Sequence, residues 1–225
     1  MALTTEIIRH DPTKATEFNI KFQNSTETKR FGFMTEVQAE TTINLLALNE
    51  EGVLAGQLPK VASMQITLDG HIDVDALRTY YGMSNKDLKD GVFAYGSASV
   101  ATPFCLTYKS LDELHVDANG NPKVKLVAYP NCTSNAGVTI DTENGTDTVA
   151  DVELTADAFK DENGNIYYEA FEDELDEELA EQWMIDFSPE LVALNNDGSG
   201  DESPDAPKDL EATAKSDTSA SLAWK

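Results

Sequence analysis

Alternation of apolar and polar residues recurs in several segments of the first 170 positions. Glu17 to Phe22 (Glu-Phe-Asn-Ile-Lys-Phe) changes side at every residue, the period of a strand, and Asn24-Ser25-Thr26 marks the turn after it. Phe31 to Leu48 is rich in Thr, Val, Ile and Phe and reads as one long strand, or two with a bulge, with Phe33, Val37, Ile43 and Leu45 as inward positions. Residues 49–60, with Gly52, Gly56 and Pro59 among small and polar neighbours, predict a mobile loop. Val61 to His71 alternates again: Met64, Ile66 and Leu68 make a dry face, and Ser63, Gln65, Thr67 and Asp69 a wet one. Asp73 then caps a helix in which Val74, Leu77, Tyr80 and Tyr81 recur at helical spacing, and Gly82 ends it. Further strands are expected over 92–96, 103–109 and 123–129, with Asp117 to Asn121 as a hairpin turn before the last. A pair over 131–140 and 148–158 flanks Glu143-Asn144-Gly145, and Asn163-Gly164 turns the chain into Asn165 to Tyr168. The expected fold is mainly β, an antiparallel β-sandwich or barrel with one flanking α-helix.

The period changes after residue 169. Phe171, Leu175, Leu179 and Trp183 stand four apart, so Ala170 to Trp183 predicts an amphipathic helix with a very acidic outer face. Acidic residues suit a helix N-terminus, but with no Lys partner at i+4 the like charges repel, and such a helix requires a docking surface to persist. Asn195 to Pro207, rich in Gly, Asp, Ser and Pro, is a linker. Beyond it, Leu210, Ala212 and Ala214 alternate, then Leu222 and Trp224, around a polar turn. This pattern resembles the opening two strands of a fibronectin type III module, in which the tryptophan at the Trp224 position anchors the core. Such modules take about seven strands and roughly 100 residues to close, so 208–225 is expected to be an incomplete module, from truncation or a frameshift, or a disordered remnant. The domain plan is an N-terminal arm (1–16), a β body (17–169), an acidic arm (170–194), a linker (195–207) and the fibronectin-like segment (208–225).

Composition narrows the function. With 225 residues and 40% hydrophobic content the chain can bury a core. It has no run of eighteen apolar residues and no signal-peptide pattern at its start, so a soluble, cytoplasmically made protein with no membrane partner is expected. The two cysteines, Cys105 and Cys132, fall in expected strands and read as buried thiols. The formal charge is −25, and residues 161–207 carry 16 acidic residues without one Lys or Arg. This sign excludes base-reading of DNA, which needs clustered Lys and Arg, yet it suits a conduit along which DNA slides without sticking. His10, His71 and His115 stand in separate contexts without metal spacing, and no nucleophile elbow, phosphate loop or dinucleotide fingerprint is present. No catalytic, cofactor or metal residues are assigned, and the chain reads as a non-enzyme. Asp161, Asn163, Asn165, Tyr167, Glu169 and Glu172 match EF-hand positions 1, 3, 5, 7, 9 and 12, but Ile166 occupies the obligatory glycine position, so a hairpin turn is the reading.

The order of elements carries a resemblance. A long Thr-rich strand, a loop, a strand ending Leu-Asp-Gly-His-Ile-Asp, a helix ending Tyr-Tyr-Gly-Met-Ser, and late strands closing on Ala-Asp-Ala-Phe-Lys-Asp-Glu-Asn-Gly-Asn together resemble the major tail protein, or tail tube protein, of long-tailed bacteriophages, over residues 15–170. The resemblance implies a structural virion protein of the phage tail, assembled in the host cytoplasm. It would form hexameric rings stacked into a hollow tube through which DNA passes, with tape measure, tail terminator and distal tail proteins as partners and no cofactor. Phe31–Leu48 and Val61–Asp69 are then the first candidate barrel strands, and Asn131–Ile140 with Thr148–Asp157 the second pair. Ser63, Gln65, Thr67 and Asp69 are the candidate lumen-facing residues. The 49–60 loop (Gly52, Gly56) and the acidic helix (Phe171, Leu175, Leu179, Trp183) are the candidate ring-contact arms, ordering on assembly. The alternative is an acidic β-sandwich adhesion module that binds carbohydrate or protein and is a monomer or trimer in solution. A secreted glycan-cleaving enzyme comes third and lacks the secretion signal it would need.

Overall fold

The structure is a computed structural model that describes residues 9–50, 53–116, 119–139 and 151–194, and the backbone of 211–216 and 219–223. Eight strands form one antiparallel sheet in the unit that ends at Leu191: β1 (Lys14–Phe22), β2 (Lys29–Arg30), β3 (Gly32–Glu50), β4 (Val53–Ile72), β5 (Phe104–Val116), β6 (Pro122–Ser134), β7 (Val152–Ala158) and β8 (Tyr168–Phe171). The order is β2-β1-β5-β6-β7-β4-β3, with β8 added to β6. β2 and β3 lie at opposite ends of that order, yet Phe31 alone separates them in the chain, so the sheet curls round into an open barrel. Phe31 sits fully buried at the seam, its N–H donating to Phe18 O at 2.8 Å and its carbonyl accepting from Asp73 N–H at 3.0 Å. Inside are Phe18, Ile20 and Phe22 from β1, Ile66 and Leu68 from β4, Phe104 and Leu106 from β5, and Leu154 from β7.

Helix α1 (Val74–Tyr80) closes this core with Ala76, Tyr80 and Tyr81. Its local signals act as expected: the Asp73 carboxylate accepts from the N–H groups of Asp75 and Ala76, and Gly82 turns out of the helix at φ +65°. A Cβ there would lie 2.1 Å from Val100 O, so only glycine fits. Val74, however, faces solvent.

Several expectations need correction. Residues 53–60 are strand, because β3 and β4 stay paired far beyond the core as a two-stranded ribbon; Gly56 sits opposite Leu48, and Gly52 lies outside the described residues. Phe33, Ile43 and Leu45 point outward, and only Val37 of that set packs on the core. For Phe33 the cause is a bulge between Met34 and Glu36: the core position before Val37 is Met34, and counting back by twos from Val37 lands on Phe33, the wrong side. Ile43 and Leu45 lie on the part of the ribbon that runs beyond the core. Residues 92–96 make a single bridge, Ala94 to Ser84, in place of a strand, and the late strand lies at 168–171 instead of 165–168. The last helix, α2 (Glu177–Asp186), begins seven residues after the expected start, because Phe171 pairs with Lys125 in the sheet and a 3₁₀ turn (Glu172–Glu174) follows. Of the 131–140 strand only the part to Ser134 is extended, and it pairs with β7 (Cys132 to Ala158); residues 140–150, with the Glu143-Asn144-Gly145 turn, lie outside the described residues.

The surface that the like-charged α2 requires is its own sheet. Asn19 and Lys21 alternate with the core residues of β1 and so point to the opposite face. There Asn19 Nδ2 donates to Met184 O at 3.1 Å and Lys21 pairs with Asp186. Ala180, Trp183, Met184 and Phe187 are buried beneath the helix, and the Trp183 and Phe187 rings meet at 4.7 Å. In the second unit, β9 (Glu211–Ser216) and β10 (Ser219–Ala223) form an antiparallel hairpin with Ala212 opposite Leu222; Leu210 and Trp224 lie outside the described residues.

The segment before β1 is clasped along β5. Thr13 N–H donates to Leu111 O at 2.9 Å and Asp11 N–H to Asp112 Oδ2 at 2.7 Å. Asp112 is fully buried and also accepts from Leu114 N–H, His115 N–H and the His115 ring. Desolvation alone would raise its pKa, but these donors outweigh it and hold the carboxyl far below the ordinary range. A group depressed in this way stabilises the fold above its unfolded pKa, about 3.9, and that contribution is lost as pH falls toward the folded value. Below pH 4, the stability of wild type should therefore fall more steeply than that of Asp112→Asn, measured as urea midpoints; parallel pH profiles would contradict the assignment.

Candidate functional site

The β3–β4–β7 region forms one exposed polar face. Register places Ser63 beside Thr42, Gln65 between Glu40 and Asp157, Thr67 between Gln38 and Thr155, and Asp69 between Glu36 and Glu153. Residues directly opposite one another in an antiparallel pair share a face, so these side chains stand together on the side away from Ile66, Leu68 and Leu154. None of them is buried. The four residues expected on the wet face are thus brought together, and the partners that β3 and β7 add were missed by sequence reading because they depend on register. Five of the side chains on this face are carboxylates (Glu36, Glu40, Asp69, Glu153 and Asp157), and no Lys or Arg occupies these paired positions.

Glu36, Asp69 and Glu153 form a row across three strands. Opposed Cβ atoms in such rows lie about 5 Å apart, and like charges there are destabilising. The row therefore costs stability, and its chemical output is a negative, phosphate-repelling surface. Asp69→Asn removes two like-charge contacts and is expected to raise stability by roughly 0.2–1 kcal/mol per contact, read from thermal melts at low salt and diminishing at high salt.

At its far end the same hairpin carries apolar side chains with no covering layer. Ile43, Leu45, Leu46, Leu48, Leu58 and Val61 are each 45–60% exposed. Leu46 faces Leu58 across the ribbon, and Leu45 faces Pro59 on the other side, so both faces are apolar. A two-stranded ribbon is marginal alone in water, and apolar exposure of this extent marks an interaction surface.

The residues expected to act as contact arms share no single element. Gly56 lies on the ribbon, Phe171 in β8 beneath the Lys123 ammonium at 3.9 Å, and Leu175 after the 3₁₀ turn. Leu179 and Trp183 lie in α2, with Trp183 only 2% exposed within its own chain.

Other candidate chemistry resolves into structure. His10 and His115, distant in sequence, flank the same clasp: His10 Nε2 lies 3.1 Å from Ser110 Oγ, and His115 Nδ1 2.7 Å from Asp112 Oδ2 and 3.9 Å from Asp11. Burial and the charges of Lys125 and Lys123 lower the His10 pKa. Among the described residues Asp11, Asp112 and His115 are the one set close enough to share a cation, but Asp112 already accepts from three backbone N–H groups and an imidazole. The Asp161 turn is a tight hairpin: its carboxylate accepts from Asn163 N–H, Asn165 N–H and the Tyr168 hydroxyl at 2.5–2.9 Å, and Ile166 packs into the core. Burial pushes the Cys105 thiol up to about 12 and Cys132 well above its ordinary value, so neither is a nucleophile.

No protein-family model matches the chain, and no curated protein matches it. Among solved structures it is similar to a chain in the cryo-EM structure of the anti-feeding prophage cap, a tube-terminating cap, with a TM-score of 0.43 and 10% identity over 76% of this chain and 99% of that one. It is also similar to a chain of the anti-feeding prophage baseplate, with a TM-score of 0.37 and 13% identity over 75% and 97%.

Proposed function

We propose that this chain is a structural subunit of a phage-type tail tube, with copies joining into hexameric rings that stack around a bore lined by the β3–β4–β7 face. The observation that carries the reading is the acidic face itself: the row of Glu36, Asp69 and Glu153, with no ion-pair partner among the described residues, costs stability in the isolated subunit and suits a surface to which phosphate must not adhere. The exposed edge of β3 is a template for strand pairing, and joining it to a neighbouring copy removes that liability. The ribbon, apolar on both faces, gains cover when it lies against the next ring.

Negative-stain microscopy of concentrated protein tests this. Hollow filaments with a regular axial repeat are expected, and Leu46→Glu with Leu58→Glu, which places opposed charges of like sign on one face of the ribbon, should abolish them while leaving the melting of the body unchanged. A monomer or trimer at all concentrations would overturn the tube reading in favour of an adhesion module, and filaments that persist in the double variant would overturn the role of the ribbon in stacking the rings.

A further inference from the structure

A groove of about 680 Å³ runs between α2 and the β1–β5 surface, within the size range of binding sites. Leu175, Met184 and Ile185 give it apolar walls, and Ile185 is 58% exposed. Glu17, Glu172, Glu177 and Glu181 line it as well. The one cation among the described residues that line it, Lys109, is already committed, 2.9 Å from Glu172 and 3.6 Å from Glu17. Glu177 and Glu181 stand four apart on the same helix, so they repel, and neither has an ion-pair partner among the described residues.

We propose that this groove docks a basic amphipathic segment of another protein, whose apolar side chains cover Leu175, Met184 and Ile185 and whose ammonium or guanidinium groups neutralise Glu177 and Glu181. Charge complementarity selects the occupant. A second copy brings a formal charge of −25 to a rim that is already acidic, whereas a Lys- or Arg-bearing segment relieves the Glu177–Glu181 repulsion and covers exposed aliphatic surface in the same event. The apolar walls distinguish this site from the β3–β4–β7 face, where carboxylates stand without aliphatic neighbours on the same side, so a partner reading the groove needs both features. The proposal does not depend on the tube reading.

The probe is the peptide acetyl-Lys-Leu-Leu-Lys-Leu-Leu-Lys-amide, titrated into the full chain at physiological salt and followed by calorimetry. Glu177→Gln with Glu181→Gln is expected to weaken binding at least tenfold, and Ile185→Ser several-fold. Glu36→Gln with Glu153→Gln, which removes the same charge elsewhere, should leave it within twofold. Thermal melts establish that each variant is folded. Equal losses from both charge pairs, or equal affinity for a trilysine peptide without leucines, would reduce the interaction to diffuse attraction and overturn the proposal. Failure here leaves filament formation untouched, so the two readings fail separately.

Discussion

Trp183→Ala is expected to destabilise the body by about 3–5 kcal/mol, the usual cost of removing a buried tryptophan, and to lower its melting temperature by roughly 10 °C. The side chain is 2% exposed, its ring meets Phe187 at 4.7 Å, and Phe187 in turn meets Tyr168 of β8 at 5.3 Å, so one truncation unpacks three aromatic groups. The helix has no other source of stability on that scale. It is ten residues long, shorter than helices that persist alone in water, and its glutamates lack i+4 cations. Detachment of α2 should appear as new proteolytic cleavage in residues 172–194. Trp183→Phe separates area from bonding: the indole N–H has no hydrogen-bond partner among the described residues, so phenylalanine forfeits ring area and no bond seen there, and a loss well below that of alanine is expected. A cost below 1 kcal/mol for Trp183→Ala would mean that the helix is held by its charges, chiefly Lys21 to Asp186, and not by its buried face.

What the sequence revealed here was what acts locally. The Asp73 cap and the Gly82 stop depend on neighbours within a few positions, and both are where the residue pattern puts them. The dry and wet faces of β4 follow from period two alone. Where a second strand decides the matter, the pattern misleads. The bulge at Thr35 inverts the phase of β3, so Phe33 faces the Arg30 guanidinium at 5.5 Å in place of the core. The acidic row is invisible in any one strand, because Glu36, Asp69 and Glu153 become neighbours only through register. The four-residue spacing of Phe171 to Trp183 is genuine periodicity, but its first member is claimed by pairing with Lys125, and tertiary pairing overrides local helical preference. The clasp at Asp112 joins residues about a hundred positions apart and has no sequence signature at all. Nor does the mid-chain Gly56 announce that it lies in a strand, since glycine with proline nearby is the ordinary sign of a loop.

Reversing the acidic row is expected to convert a surface that ignores DNA into one that holds it. Glu36→Lys, Asp69→Lys and Glu153→Lys replace three carboxylates with three ammonium groups across three adjacent strands. The charges change sign but the like-charge repulsion within the row stays repulsive and of similar size, so stability should stay nearly constant and any gain in binding reports charge and not folding. In filter binding, wild-type subunits should retain no duplex DNA at low salt. The triple variant should bind it with log K falling against log salt at a slope near −3, about 0.9 for each phosphate neutralised. Geometry then separates a lumen from an outer wall. Closed-circular duplex cannot thread a narrow bore, so it should bind the dissociated triple variant and be ignored by its filaments, whereas linear duplex ends can enter. Filaments that bind closed circles as well as free subunits do would place the acidic face outside, and the conduit would have to be sought on another surface of the chain.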